Sequence, residues 1–234
     1  MLIAPLQNAF RIALLGVVLV SFMGCGGGTG GESGGGSGGG SGGGSSPLVF
    51  VAGGGSLSPT LTSYSYNAST GALTSTGSSV ATGSAPISVG VDTINHLVFV
   101  ANENSSTLTS YSYNASTGAL TSTGSSVATG SAPYSVGVDM INHLAFVANF
   151  TSSTLTSYSY NASTGVLTST GSSVATGSAP ISVGVDTINH LAFVANNHSS
   201  TLTSYSYNAS TGALTSIGSS VATGSPPHSV ALAP

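Results

Sequence analysis

This sequence predicts an all-β propeller of about four blades, each a four-stranded antiparallel sheet, and three observations carry that expectation. The motif Tyr-Ser-Tyr-Asn begins at Tyr64, Tyr111, Tyr158 and Tyr205, a constant step of 47 residues. A fixed period of that size belongs to propeller blades or to helical arrays. No part of the repeat places apolar residues at helical spacing. Instead β-branched and aromatic residues alternate with Ser and Thr between Gly, Asn and Pro punctuation.

One repeat divides into four strands. In the second blade these are residues 86–92, 96–101, 107–113 and 119–125. Leu97-Val98-Phe99-Val100 is apolar on both faces, as a strand covered by a sheet on either side should be. The third strand alternates, with Thr109, Tyr111 and Tyr113 on one face and Leu108, Ser110 and Ser112 on the other. The fourth is rich in Ser and Thr and suits an outer edge. Asn114 to Gly118 makes a hairpin loop, with Gly able to take positive φ. Residues 47–52 begin the first blade at its second strand, and 227–233 repeat a first-strand sequence. This segment is therefore expected to pair into the first blade and close the ring. A larger propeller completed by oligomerisation is the alternative.

Ahead of the propeller domain (47–234) lie two further segments. Residues 1–24 hold one positive charge, Arg11, and an apolar run from Ile12 to Met23 that is short for a membrane span and reads as a signal peptide. Ser21-Phe22-Met23-Gly24-Cys25 resembles the lipobox of bacterial lipoproteins, which makes Cys25, the single cysteine, the expected lipidation site. Residues 25–46 are that cysteine and a Gly/Ser-rich flexible linker with an r.m.s. span of about 25 Å. Gly26 rather than Asp follows the cysteine. The expected location is the bacterial cell envelope, at the outer membrane or cell surface, with the membrane as a partner through the lipid anchor.

Composition narrows the function. Charged residues make up 3% of the chain, against about 25% in ordinary globular proteins. The one basic residue, Arg11, falls in the signal peptide. A mature chain without Lys or Arg cannot neutralise phosphates, which excludes nucleic acid as a partner. It also lacks the guanidinium or ammonium clamp that phosphorylated substrates ordinarily meet. Protein, glycan and small-molecule ligands remain open, and no cofactor or metal is expected.

Phe-Val-Ala-Asn, Thr-Leu-Thr-Ser-Tyr-Ser-Tyr-Asn, Thr-Gly-Ala-Leu-Thr and Pro-x-Ser-Val-x-Val-Asp recur in order. Together they resemble the bacterial lactonase-like seven-bladed β-propellers and the related YVTN repeat proteins, over about residues 47–234. The resemblance implies the propeller fold. It also implies a possible lactone hydrolase, since some members are 6-phosphogluconolactonases or carboxymuconate-lactonising enzymes, although many repeat-rich members have no known activity. This chain departs from the family in blade number, in the near-identity of its repeats and in its lack of Lys and Arg. No catalytic motif carries across residue by residue.

Comparing the repeats with one another locates the candidate site. Between the second and third strands the copies read Glu103-Asn104, Phe150-Thr151 and Asn197-His198; early in the first strand they read Ile87, Tyr134, Ile181 and His228. In a four-stranded meander both positions emerge on one face, so Glu103, Asn104, Tyr134, Phe150, Asn197, His198 and His228 form the expected ligand-binding face. Neutral variation in exposed loops is the competing account. With the ring closed, His228, Glu103 and His198 sit in neighbouring blades and are the candidates for a general base and its partner. His96, His143 and His190 recur identically and read as turn residues on the opposite face. Asp92, Asp139 and Asp186 open Asp-x-Ile-Asn and read as turn formers, as do the Asn-Ala-Ser sequences at Asn67, Asn114, Asn161 and Asn208. The expected function is a non-catalytic binding or scaffold module. Lactone hydrolysis and a structural spacer or adhesin are the alternatives.

Overall fold

The computed structural model describes residues 46–54 and 58–233. The expected signal peptide, Cys25 and nearly all of the linker lie outside the described residues. Among these residues there is no helix, and hence none long and apolar enough to cross a membrane.

Fifteen strands form four antiparallel sheets. Blade one holds β1 (Leu48–Gly53), β2 (Thr60–Tyr66) and β3 (Leu73–Ala81). Blade two holds β4 (Pro86–Asp92), β5 (Leu97–Asn102), β6 (Thr107–Tyr113) and β7 (Leu120–Ala128). Blade three holds β8 (Pro133–Asp139), β9 (Leu144–Asn149), β10 (Thr154–Tyr160) and β11 (Leu167–Ala175). Blade four holds β12 (Pro180–Asp186), β13 (Leu191–Asn196), β14 (Thr201–Tyr207) and β15 (Leu214–Ala222). Within each sheet, strands pair in sequence order, as short connections dictate.

Pleating explains the doubly apolar second strand. On β5, Val98 and Val100 pack with Phe50 and Leu61 of blade one. Leu97 and Phe99 face the other way, against Val136, Ala145, Val147 and Tyr158 of blade three. Strand β9 repeats the arrangement, its Leu144 and Phe146 meeting Val183, Val194 and Tyr205 of blade four. The core is thus a series of inter-sheet seams, each buried only because a neighbour covers it.

Those seams are fastened by hydroxyls, which is how a chain so poor in charge holds its sheets together. Ser110 Oγ donates to Gly165 O at 2.6 Å, and Ser157 Oγ to Gly212 O at 2.6 Å, each bond crossing to the next blade. Leu167 N donates to Ser125 Oγ at 2.8 Å, and Tyr158 Oη to Ala128 O at 3.0 Å. Innermost are β4, β8 and β12. Val136 N donates to Ser88 Oγ and Val183 N to Ser135 Oγ, both at 3.2 Å. These strands approach so closely that a Cβ on Gly90 would stand 2.7 Å from Val138 Cγ2, and one on Gly137 2.7 Å from Val185 Cγ2.

The expected fastening of 227–233 onto β1 is not formed. Among the described residues β1 pairs only with β2, and no strand is formed after β15. The terminal segment instead lies beside β12, where Val230 N donates to Ser182 Oγ at 3.1 Å, the same bond that Val136 and Val183 make one and two blades earlier. The repeated innermost contacts hold it at the position of a further blade's first strand, on the side of blade four away from blade three.

Candidate functional site

The loop after the second strand and the connection into the first strand share one face, as the meander requires. They are bonded to each other. Glu103 N donates to Ala85 O at 2.8 Å and Asn104 N to Ser84 O at 3.2 Å. Phe150 and Thr151 repeat this with Ala132 and Ser131, and Asn197 and His198 with Ala179 and Ser178. Ala85 takes a left-handed φ of 52°, which turns its carbonyl toward the loop. The variable residues therefore stand on a backbone that is the same in every blade.

Three of the expected face residues come together. The rings of Tyr134 and Phe150 stack with centroids 4.8 Å apart and planes 29° apart, and His198 from blade four meets Phe150 edge-on at 5.4 Å. Tyr134 and Phe150 are half-buried and His198 is exposed. Offset stacking and edge-to-face contact are the geometries that aromatic quadrupoles favour. The result is an aromatic ledge spanning the mouth of the seam between blades three and four. Asn197 extends it, its Nδ2 donating to Pro227 O at 3.0 Å, beside the exposed His228.

The three candidates for base chemistry do not assemble. Their juxtaposition depended on segment 227–233 joining blade one. With that segment beside β12, His228 lies on the blade-four side of the face, away from Glu103 of blade two. Among the described residues no group of three His, Cys, Asp or Glu side chains could hold a metal ion. Glu103 and Asn104 stand on their own loop, the first half-buried and the second exposed.

The opposite face carries the repeated Asp, Asn, His and Tyr. Asp92 Oδ1 accepts from Ile94 N at 2.9 Å and Asn95 N at 2.8 Å, the turn expected of it. Its other oxygen has a second partner, Tyr160 Oη of blade three, at 2.7 Å. Asp139 accepts from Tyr207 in the same way, also at 2.7 Å. Burial raises the Tyr160 and Tyr207 hydroxyls well above the ordinary tyrosine range, and the bonded carboxylates raise them further. Tyr113 is pushed up to about 12, first by burial and then by the charge of Asp92. His96, His143 and His190 take a left-handed φ near 55° and meet Tyr113, Tyr160 and Tyr207 edge-on. The sequence marked both residue types as turn formers but missed the tyrosine bond, whose partners are 68 residues apart. The Asn-Ala-Ser loops are turns as well, with Asn114 Oδ1 accepting from Ser116 N and Thr117 N at 2.9 Å.

A fold of repeated four-stranded sheets, packed face to face and fastened at an inner rim, defines a β-propeller. Within that class, the model of the lactonase, 7-bladed beta-propeller family matches residues 49–138 and 135–230, and the chain belongs to that family. No curated protein sequence matches the chain. Among solved structures, the periplasmic gluconolactonase of Pseudomonas aeruginosa is 18% identical with a TM-score of 0.62, over 75% of this chain and 54% of that one. A Lactobacillus plantarum protein is 22% identical, TM-score 0.62, over 75% and 52%. A Bacteroides fragilis protein provisionally assigned as a 6-phosphogluconolactonase is 15% identical, TM-score 0.62, over 74% and 52%. At these identities the likeness is one of fold. The chain spans about half the length of each.

Proposed function

We propose that this protein is an exported, envelope-anchored propeller that binds a neutral, ring-shaped ligand of the carbohydrate class on the face carrying Tyr134, Phe150 and His198, without chemical turnover. The observation that carries the reading is the aromatic ledge: three residues that differ from their counterparts in the other repeats converge in space. A sugar ring presents an apolar C–H face and a rim of hydroxyls. Stacked aromatic rings meet the first, and amide and imidazole groups such as those of Asn197 and His198 meet the second. The near absence of charge supports an uncharged ligand, because a phosphorylated one would be desolvated here without a cation. Cys25 supplies the anchor, with 25–46 holding the propeller clear of the lipid surface.

The test is a calorimetric titration of the protein with a panel of neutral oligosaccharides and aldonolactones. Saturable binding that Phe150→Ala weakens by at least about tenfold, a loss of about 1.4 kcal/mol, is the expected result. No binding across the panel, or binding indifferent to Phe150, rejects the ledge. Incorporation of labelled fatty acid that Cys25→Ser abolishes is expected for the anchor.

Family membership favours a second reading, hydrolysis of a lactone. Opening a lactone needs a base and a stabiliser for the developing oxyanion. Glu103, His198 and His228 are the bases on this face. Turnover of any lactone in the panel that is lost in Glu103→Ala or His198→Ala would replace the binding reading with the catalytic one.

A further inference from the structure

Strand β1 carries the same kind of sequence as β5, β9 and β13, yet its surroundings differ. Val51 is 46% exposed, whereas its counterparts Val100, Val147 and Val194 are completely buried. Two neighbours are missing among the described residues: no sheet covers the face that Val51 presents, as blade one covers Val100, and one edge of β1 lacks a strand. Strand β5 is paired on both edges, by β4 and β6, while β1 among the described residues is paired only by β2. Segment 227–233 is the complementary piece. Pro227-x-Ser229-Val230 repeats Pro86-x-Ser88-Val89, and the segment already holds a first-strand position beside β12. Among the described residues no second strand pairs with it there, and Leu232 is 42% exposed. An exposed apolar strand edge is a template for another strand.

The curvature separates the two edges within one chain. The chain covers about half the length of the propellers it resembles, in a family described as seven-bladed, so its four blades trace about half a ring, which leaves β1 at one end and segment 227–233 at the other. Two half-rings related by a two-fold axis bring each edge against its complement at both junctions at once. We propose that two copies of this chain join head to tail, segment 227–233 of each adding to β1 of the other, to make a closed ring of eight blades. Eight is within the range that propellers adopt. The register follows from the complete blades, in which Val89 faces Val100, Val136 faces Val147 and Val183 faces Val194. At the junction Val230 therefore faces Val51. The same joining sets Tyr66 of one copy opposite Asp186 of the other, as Tyr160 and Tyr207 are set opposite Asp92 and Asp139. Asp186 is half-exposed where Asp92 and Asp139 are fully buried.

The experiment introduces Val51→Cys and Val230→Cys together in a Cys25→Ser chain, leaving no other thiol. Residues directly opposite in an antiparallel pair have Cα atoms within disulfide reach. Mild oxidation is expected to give a covalent pair of chains on a non-reducing gel, and neither single variant should do so. An internally linked single chain would mean that the ring closes on itself, and the proposal would fail. Absence of any link, or a ladder of longer species, would overturn it equally. Native mass spectrometry of the Cys25→Ser chain, which alters nothing in the propeller, is expected to give twice the chain mass; a single-chain mass rejects the pairing. Val51→Lys is expected to halve that mass with the β-sheet circular dichroism unchanged. None of these readings involves the aromatic ledge, so they stand or fall apart from ligand binding.

Discussion

The two faces of this propeller are built on the same strands and use them differently. On one, Asp, Asn, His and Tyr recur in the complete blades, and where a following blade exists, the carboxylate of one accepts a hydroxyl from the next. On the other, an equally regular backbone presents Glu103, Phe150 and His198 at loop positions where no two copies agree. The lesson lies in where the bonds go. The repeated Asp and Tyr are committed to neighbouring blades, so changing one disturbs two sheets. The variable residues are held by main-chain hydrogen bonds that any side chain permits.

Substitutions can break that contrast, beginning with the largest effect. Asp139→Ala removes a buried carboxylate that closes a turn and accepts from Tyr207. It should cost about 3 kcal/mol of folding stability, read as a lower urea midpoint. Tyr207→Phe removes the hydroxyl alone and should cost about 1.5 kcal/mol. Tyr113, Tyr160 and Tyr207 keep their protons in the folded state to higher pH than in the unfolded chain. Above about pH 10 the unfolded state therefore binds fewer protons, and stability falls as pH rises toward the elevated folded values. Urea titrations between pH 9 and pH 12 should show that decline, and a Tyr160→Phe/Tyr207→Phe chain should show a shallower one. On the variable face, Phe150→Ala should cost only about 1 kcal/mol of stability while weakening ligand binding at least about tenfold. Glu103→Gln should change stability by less than about 0.5 kcal/mol. A cost at Glu103 comparable to that at Asp139 would erase the distinction between the faces.

The sequence showed its blades plainly and its junctions poorly. The expected first and third strands, 86–92 and 107–113, match β4 and β6 end to end, because Pro, Asp and Tyr mark their limits. The second strand is displaced by one residue, to Leu97–Asn102, because His96 is spent on the turn. The fourth was read as 119–125 but runs Leu120–Ala128. Its Gly124, at φ 75°, lies beside a register shift in the pairing with β6, after which the strand continues. The shared face of the variable residues was legible because a meander alternates its loops between two ends. Contact between Tyr134, Phe150 and His198 was not, since it depends on how far blade four leans over blade three. Closure was misjudged for a related reason. Strand content says which edges are complementary, but only the curvature set by the glycines of the inner rim says whether they can meet.

The tyrosine–aspartate bonds between blades run in one direction and at one interval, from a tyrosine back to the aspartate 68 positions earlier. Excising residues 140–186, one whole period, would bring Tyr207 to that same distance from Asp92 and leave every remaining partnership chemically intact. Blade number in this architecture is therefore a quantity that unequal recombination can alter in a single step, with no compensating substitution anywhere else in the gene.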